Sequence, residues 1–305
     1  MAAQILDGKA FADKWHKEAA EAAAALKAQT GIVPGLAVIL VGDNPASISY
    51  VTAKERACER DGFLSRHIHL PADVPEEELI RTVRDLNADN AIHGILVQLP
   101  LPRHIREEAV IDAISPDKDV DGFTPENIGR MVIGRDCFLP CTPHGIVQLL
   151  IDAGIETYGK HAVVVGRSNI VGRPLANLLM RKAPGGNATV TVCHTGTHDL
   201  AAHTLQADIL IAAAGRPNTI TGEMVKPGAT VIDVGVNRVP DSTMKRGYRL
   251  VGDVDFASAA EKAAFITPVP GGVGPLTIAM LMRNTLLAAQ RCAAGMRQGR
   301  PLAKP

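Results

Sequence analysis

Six short apolar runs recur along the chain, each almost continuous in valine, isoleucine, leucine and alanine. They occupy residues 35–42, 93–100, 161–166, 188–194, 207–215 and 228–236. Continuous apolar content is typical of strands that are buried on both faces of a parallel sheet. Helical patterns cover the stretches around them, at residues 8–29, 46–61, 76–88, 104–114, 143–153, 172–182 and 275–291. This alternation of strands and helices predicts an α/β fold.

The pattern is interrupted near residues 120–145, where apolar runs give way to polar loops that contain proline and glycine. Helix-starting residues follow this interruption at Thr142 and Pro143, and another, Pro275, begins the last predicted helix. We therefore expect two domains. Residues 1–142 would form the first together with residues 275–305, which return to it through the last helix, and residues 143–274 would form the second.

The composition of the chain mainly excludes classes of protein. The 305 residues include 32 basic and 32 acidic side chains, so the chain lacks the positive charge typical of nucleic-acid binders. No run of 18 apolar residues is present, and the N-terminal MAAQILDGKAFADKW lacks the apolar core of a signal peptide. The five cysteines show no metal-ligand spacing and fit a reducing compartment. We expect a cytoplasmic protein that binds neither nucleic acid nor membrane.

The strongest local motif is AVVVGRSNIVGRP at residues 162–174. An apolar strand runs into Gly166, and a turn then leads to Gly172 and a new helix, so that backbone N–H groups and a helix N-terminus could meet a phosphate. The spacing differs from GxGxxG, and such turns also occur for packing alone. The order of strand, turn and helix nevertheless favours dinucleotide binding.

The choice of dinucleotide depends on the end of the next strand, VTVCHTGTHDL, which offers no carboxylate to hold ribose hydroxyls. Arg167 lies in the phosphate turn itself and is suited to a 2′-phosphate. The alternative is that Arg167 and Arg173 are ordinary exposed side chains. The pattern favours NADP.

Tyr50 and Lys54 lie one helical turn apart in YVTAKERACERDGF, so their side chains point to the same side of a helix. One interpretation is a solvated face, with Lys54 paired to Glu55 or Glu59 or to nothing. The other is an aromatic platform beside a titratable amine, which needs partners from elsewhere in the chain.

Three further stretches could supply such partners. Gln98 lies at the carboxyl end of an apolar strand, where α/β sheets hold ligands, although it could equally cap a loop. SPDKDVDGF carries Asp117, Asp119 and Asp121; a polar turn is the simpler explanation, because the further ligands of an EF-hand are missing. The loop at residues 266–277 combines three prolines with three glycines, which would let a stiff backbone approach a ligand closely.

Seven motifs occur in the order found in bifunctional methylenetetrahydrofolate dehydrogenase/cyclohydrolase, the FolD family, which this chain resembles over nearly its whole length. They are YVTAK, GILVQLPLP, PDKDVDGF, PCTP, VVGRSNIVGRP, VIDVGVNR and TPVPGGVGPLT. The resemblance implies an N-terminal α/β catalytic domain and a Rossmann-like NAD(P)-binding domain, with a cleft between them. It implies oxidation of 5,10-methylenetetrahydrofolate with NADP, followed by hydrolysis of the 5,10-methenyl cation to 10-formyltetrahydrofolate. It also implies a homodimer that takes tetrahydrofolate derivatives as its substrates.

Roles for single residues follow from the resemblance. Lys54 would be the central catalytic residue in hydrolysis, with its pKa lowered by burial and nearby cations. Tyr50 would stack along the substrate, Gln98 would hydrogen-bond Lys54, and Asp121 would grip the amino edge of the pterin. The implied substrate-binding residues are Tyr50, Gln98, Asp121, Pro270, Gly271 and Gly272, the last three as a wall of the folate cleft. No metal is implied, because the cofactor takes the hydride and the substrate nitrogens stabilise the cation.

The residues implied for the cofactor are Gly166, Arg167, Ser168, Gly172, Thr195, Val236 and Cys141. Family members commonly carry a basic residue in a CHS(R/K)T stretch, where this chain has Thr195 and Gly196 in CHTGT. We expect NADP, with NAD left open. Cys141 would either touch the nicotinamide ribose or only pack.

Three alternatives stay open. The first is a dehydrogenase without hydrolase activity, although all four residues of the Lys54 group are present. The second is an unrelated α/β NAD(P) dehydrogenase of the amino-acid or shikimate type. The third is a regulatory module that keeps the glycine turn. Neither of the last two would need both YVTAK and PVPGGVGP.

Overall fold

The computed structural model describes residues 3–244, 247–297 and 300–301, in which strands and helices alternate. The strands are β1 (Gln4–Ile5), β2 (Gly35–Val41), β3 (Leu64–Leu70), β4 (Gly94–Val97), β5 (His161–Val165), β6 (Thr189–Cys193), β7 (Ile209–Ala212), β8 (Thr230–Asp233), β9 (Asn237–Pro240), β10 (Tyr248–Val251), β11 (Phe265–Ile266), β12 (Met296–Arg297) and β13 (Arg300–Pro301). The helices are α1 (Gly8–Thr30), α2 (Pro45–Asp61), α3 (Glu76–Ala88), α4 (Glu107–Ala113), α5 (Pro125–Val132), α6 (Cys141–Asp152), α7 (Gly172–Met180), α8 (Leu200–Thr204), α9 (Phe256–Ala260) and α10 (Val273–Ala293), with a 3₁₀ turn at Gly222–Met224.

The chain forms two compact units. One unit, here the 142–277 unit, combines the described residues up to Ala12 with those of Thr142–Thr277. The other, the 13–141 unit, combines Asp13–Cys141 with the described residues from Ile278 onward. The sequence assigned residues 1–12 to the same domain as the rest of the N-terminal half. Residues 3–12 lie instead with the 142–277 unit, because β1 pairs in parallel with β11 of its sheet.

The 13–141 unit contains a parallel sheet of three strands in the order β3-β2-β4. Every residue of β2 and β4 is buried, as the continuous apolar runs predict. The chain beyond α4 continues this sheet for a short distance, because Ile95 pairs in parallel with Asp119 and its N–H donates to the Lys118 carbonyl at 2.8 Å. β2 lies between β3 and β4, so the strand order reverses at the carboxyl end of β2, which is where α/β sheets place ligands.

The 142–277 unit contains a parallel sheet of six strands in the order β1-β11-β8-β7-β5-β6. The chain passes from β5 outward to β6 and then returns to β7 on the other side of β5, so the strand order reverses at the carboxyl end of β5. In doubly wound sheets this reversal marks the dinucleotide site. The predicted fold class of two α/β domains with parallel sheets is confirmed.

Several elements differ from the sequence prediction. α6 begins at Cys141 and α10 at Val273, two residues before the predicted starts. β3 was not predicted, because as an edge strand it exposes alternate positions and carries two histidines and an arginine. The antiparallel hairpin of β9 and β10 was missed for the same reason. Among the described residues, no helix combines the length and apolar character needed to cross a membrane.

Candidate active site

Lys54 lies in the middle of α2 and faces the interior of the 13–141 unit. The helix begins sharply, because the Asn44 side chain accepts hydrogen bonds from the N–H groups of Ala46 and Ser47. Tyr50, one turn before Lys54, is 42% exposed, whereas Lys54 is 7% exposed. The interpretation of a solvated lysine is therefore wrong. A buried amine needs a hydrogen-bond partner, and Lys54 Nζ donates to Gln98 Oε1 at 2.8 Å.

Gln98 follows directly after β4, at the carboxyl edge of the sheet. Its backbone N–H donates to the Ile39 carbonyl at 2.9 Å, which continues the pairing with β2. Its side-chain Nε2 donates to the Leu99 carbonyl at 2.7 Å, and this bond leaves Oε1 directed at Lys54. The nitrogen of the Gln98 amide thus holds the following loop, and the oxygen of the same amide binds Lys54.

The two last aspartates of SPDKDVDGF have different surroundings. Asp119 is buried and accepts hydrogen bonds from the backbone N–H groups of Gly122, Phe123 and Thr124 at 2.8–3.1 Å. The Thr124 hydroxyl and the Asn127 amide also donate to it, at 2.7 and 2.8 Å. Asp119 therefore organises the turn, as the polar-turn interpretation predicts.

Asp121, one residue further along this turn, interacts electrostatically with Lys54. Burial raises the pKa of Asp121 to about 6, an effect that the Lys54 charge opposes and the neighbouring Asp119 reinforces. Burial lowers the pKa of Lys54, while Asp121 and Cys141 act in the opposite direction. The expected lowering of this pKa thus arises from burial, and the neighbouring acids oppose it where cations were expected to assist. The pKa values of both groups therefore move towards neutral pH, which is the range that favours proton transfer.

Cys141, the first residue of α6, is buried beside this turn. Its thiol donates to the Val120 carbonyl at 3.2 Å, and burial together with Asp121 raises the pKa of the thiol well above its usual value. Asn284 of α10 donates from Nδ2 to the same carbonyl at 2.8 Å. The sequence analysis missed Asn284, whose only signal is an amide in a mostly apolar helix. That Cys141 contacts a cofactor stays a prediction.

The turn after β5 has the close packing that the glycine pattern predicts. A Cβ atom on Gly166 would lie 2.1 Å from the Ala213 carbonyl oxygen, and one on Gly172 would lie 2.1 Å from the Gly166 carbonyl oxygen. Strand, turn and helix therefore approach as only glycine permits. Ser168 Oγ accepts from the N–H groups of Val171 and Gly172 at 3.2 and 3.3 Å. These contacts shape a turn of exposed residues at the N-terminus of α7. That this turn binds a phosphate stays a prediction.

The end of β6 lies beside this turn, because the Gly166 N–H donates to the Cys193 carbonyl at 2.8 Å. His194 Nδ1 accepts from the Gly196 N–H at 3.1 Å, and the His194 N–H donates to Thr197 Oγ1 at 2.8 Å. Thr195 is exposed between them, as is Arg167 on the phosphate turn. Arg173 is also exposed, and its Nη1 donates to Asn169 Oδ1 at 2.9 Å.

Val236 and the glycine loop at residues 270–272 also belong to the 142–277 unit. Val236 is exposed after β8, where Asp233 accepts from the N–H groups of Gly235 and Asp253 at 3.0 and 2.9 Å. The Gly271 carbonyl accepts from the Lys9 N–H at 3.1 Å. The roles of Val236, Pro270, Gly271 and Gly272 in binding stay predictions. Among the described residues, no cluster of three or more His, Cys, Asp or Glu side chains could hold a metal ion.

Comparison with known proteins agrees with both halves of this geometry. The catalytic-domain model of the tetrahydrofolate dehydrogenase/cyclohydrolase family matches residues 6–121, and the NAD(P)-binding-domain model of the same family matches residues 140–293. The chain is 59% identical to the bifunctional protein FolD of Moorella thermoacetica over 291 residues, which are 95% of this chain and 100% of the relative.

Two solved structures are similar over almost the whole chain. The bifunctional FolD enzyme of Campylobacter jejuni has a TM-score of 0.89 and 49% identity, covering 95% of this chain and 100% of its own. The FolD methylenetetrahydrofolate dehydrogenase-cyclohydrolase of Trypanosoma brucei, solved with NADP and an inhibitor, has a TM-score of 0.91 and 44% identity, covering 96% and 99%. The resemblance read from the motifs is confirmed: the chain belongs to the tetrahydrofolate dehydrogenase/cyclohydrolase family.

Proposed function

We propose that the protein is a bifunctional enzyme of one-carbon folate metabolism. It oxidises 5,10-methylenetetrahydrofolate to the 5,10-methenyl cation with NADP, and it hydrolyses that cation to 10-formyltetrahydrofolate. The observation that carries this proposal is the buried Lys54 amine, bonded to Gln98 and coupled to Asp121. A dehydrogenase without hydrolase activity, an unrelated dehydrogenase and a regulatory module are not favoured, because none of them accounts for this group in a chain of this family.

Lys54 moves protons in the hydrolysis. Water attacks the bridging carbon of the methenyl cation, and a neutral Nζ takes a proton from that water, which leaves a neutral carbinol at this carbon. The bond from this carbon to one folate nitrogen then breaks as the carbinol hydroxyl loses its proton to solvent and becomes the formyl carbonyl. The ammonium of Lys54 returns its proton to the released nitrogen, so that one proton is released overall. Such steps need an amine whose pKa lies below that of an exposed lysine, and the burial of Lys54 lowers its pKa. Gln98 restricts the direction of Nζ through the 2.8 Å bond to Oε1.

Asp121 and Tyr50 orient the substrate. An ionised Asp121 accepts two near-parallel hydrogen bonds from the amino edge of the pterin, which is a strong and directional arrangement. Tyr50 offers a ring that is 42% exposed, one helical turn from the reacting amine, on which the substrate stacks. The Tyr50 ring and the Lys54 amine therefore face the same substrate molecule.

NADP, when bound, accepts the hydride of the oxidation. The turn from Gly166 to Gly172 receives the phosphates, and Arg167 with Thr195 binds the 2′-phosphate. Arg167 supplies the cation at this position, since Gly196 stands where family members commonly carry a basic residue. Its guanidinium favours NADP over NAD.

The first prediction concerns Lys54. Lys54→Met removes the amine but keeps an unbranched side chain of similar length, so we expect hydrolysis of the methenyl cation to fall at least about 100-fold. The dissociation constant of NADP should stay near that of the unchanged protein. Hydrolysis is followed as loss of methenyl absorbance above the uncatalysed rate. Arg56→Met, an exposed position on the same helix, is the control. Full hydrolase activity in Lys54→Met would refute the proposal.

The second prediction concerns pH. Because the pKa of Asp121 is raised to about 6, the carboxylate binds a proton as pH falls through that value and loses its charged hydrogen bonds. We expect the KM for methylenetetrahydrofolate to rise between about pH 7.5 and pH 5. In Asp121→Asn the KM should be high throughout this range and nearly independent of pH. A KM that keeps the original pH dependence in Asp121→Asn would assign the titration to another group.

The third prediction concerns the cofactor. Arg167→Ala should raise the KM for NADP by about 10- to 100-fold, the range for losing one charge-assisted contact, and should change the KM for NAD little. Arg173→Ala, which removes an arginine bonded to Asn169, is the matched control. Steady-state dehydrogenase rates with each dinucleotide measure both constants. An equal loss with NADP and NAD would show that Arg167 does not read the 2′-phosphate.

The fourth prediction concerns assembly. We infer from the family resemblance that the protein is a homodimer in the cytoplasm, and that it takes small tetrahydrofolate derivatives as its partners. Light scattering coupled to size-exclusion chromatography should give twice the 32.2 kDa mass of one chain. A mass of one chain at micromolar concentration would contradict this.

A further inference from the structure

The peptide that precedes Asp121 is held by two side chains that the mechanism above does not use. Asn284 Nδ2 donates to the Val120 carbonyl at 2.8 Å and to the Leu139 carbonyl at 3.0 Å. The Cys141 thiol donates to the same Val120 carbonyl at 3.2 Å. Both lone pairs of the carbonyl next to Asp121 are thus engaged by buried donors.

These bonds lie where water cannot replace them. Val120 and Cys141 are fully buried, and Asn284 is 4% exposed in the middle of α10. A buried carbonyl that loses its donor is left unsatisfied, which carries a larger penalty than the loss of an exposed hydrogen bond. A single amide that satisfies two carbonyls from different segments therefore fixes their separation.

The two segments joined by Asn284 are in direct contact. A Cβ atom on Gly122 would lie 2.7 Å from the Leu139 carbonyl carbon, and Gly122 has a φ of +74°, so only glycine fits this turn. On the other side, the Asp119 carboxylate binds the N–H groups that follow Asp121. The turn is thus anchored by Asp119 from within and by Asn284 from α10.

We propose that Asn284 is a positioning residue for the folate reactions, because its bond to the Val120 carbonyl sets the Asp121 carboxylate against Lys54. This inference rests on the function proposed above. Asn284 contacts the backbone and Cys141 Sγ, at 3.6 Å, so it acts through Asp121.

The expected signature is a change in the pH profile. The titratable groups that act on one another here are Lys54, Asp119, Asp121 and Cys141. Lys54 holds the pKa of Asp121 down, and Asp121 holds the pKa of Lys54 up. If the turn loosens and the two charges separate, the pKa of Asp121 rises and that of Lys54 falls. Both groups act in their deprotonated forms in the proposed mechanism, so each gives a step on the acidic side of the profile. The Asp121 step then moves to higher pH and the Lys54 step to lower pH.

The test uses the full-length protein with Asn284→Leu, which is close in size and donates nothing, and with Asn284→Ala. The matched control is Thr285→Val, since the Thr285 hydroxyl donates to the Leu281 carbonyl within the same helix. Hydrolase kcat/KM is measured across pH against the uncatalysed rate, with NADP binding and thermal unfolding measured on each variant.

We expect both Asn284 variants to lose about 10-fold or more in kcat/KM, as small displacements of positioned groups do. The Asp121 and Lys54 steps should move towards each other, while NADP binding and the Thr285→Val profile stay unchanged. Folded Asn284 variants with both steps at their original pH would overturn the proposal, as would a loss of activity that is explained by lower thermal stability alone. If neither variant folds, Asn284→Ser keeps a donor but is too short to reach both carbonyls, and it should move both steps in the same directions by less; unmoved steps in that variant would overturn the proposal. Absence of turnover in the unchanged protein would instead refute the proposed function, and this inference with it.

Discussion

The burial of one amine is the constraint around which the 13–141 unit is arranged. An amine taken out of water persists only if hydrogen bonds and charges around it compensate for lost hydration. Lys54 comes from a helix, Gln98 from the end of a strand, and Asp121 from a turn beside that strand. Each element therefore has to be placed accurately for the amine to be tolerated at all.

Burial acts on the two charged groups in opposite directions. It lowers the pKa of Lys54 and raises that of Asp121, so each approaches neutral pH from its own side. Their mutual attraction limits both shifts. A lysine and an aspartate in water would both be fully charged at pH 7 and poor at exchanging protons. The buried pair is closer to changing its charge at physiological pH, which suits an enzyme whose substrate alternates between a neutral and a cationic form.

The fold was predictable where burial is two-sided. β2, β4, β5, β7 and β8 are continuous apolar runs because both faces of each strand are covered, and the pattern identified all of them. The edge strand β3 and the hairpin of β9 and β10 could not be identified in this way, because their exposed faces carry charged and polar residues.

The site was predictable only in part. Spacing placed Tyr50 and Lys54 on one side of a helix but did not distinguish a solvated lysine from a buried one. The contact with Gln98, 44 residues away, is what decides between them, and the resemblance to the family supplied that pairing. Asn284 shows a further limit. A buried amide needs a hydrogen-bond partner, whereas the partner carbonyls lie 164 and 145 residues away and follow only from the tertiary structure.

Asp119 and Asp121 show why residue type and spacing do not assign a role. Both are aspartates in one short turn, two residues apart. Asp119 meets three backbone N–H groups, a hydroxyl and an amide, so its acceptor capacity is used within the protein. Asp121 interacts electrostatically with the titratable amine of Lys54. Its carboxylate oxygens can therefore still accept hydrogen bonds from a substrate. A carboxylate whose acceptor sites are filled by fixed donors stabilises a turn. Asp119 therefore fixes the turn that holds Asp121 close enough to interact with Lys54.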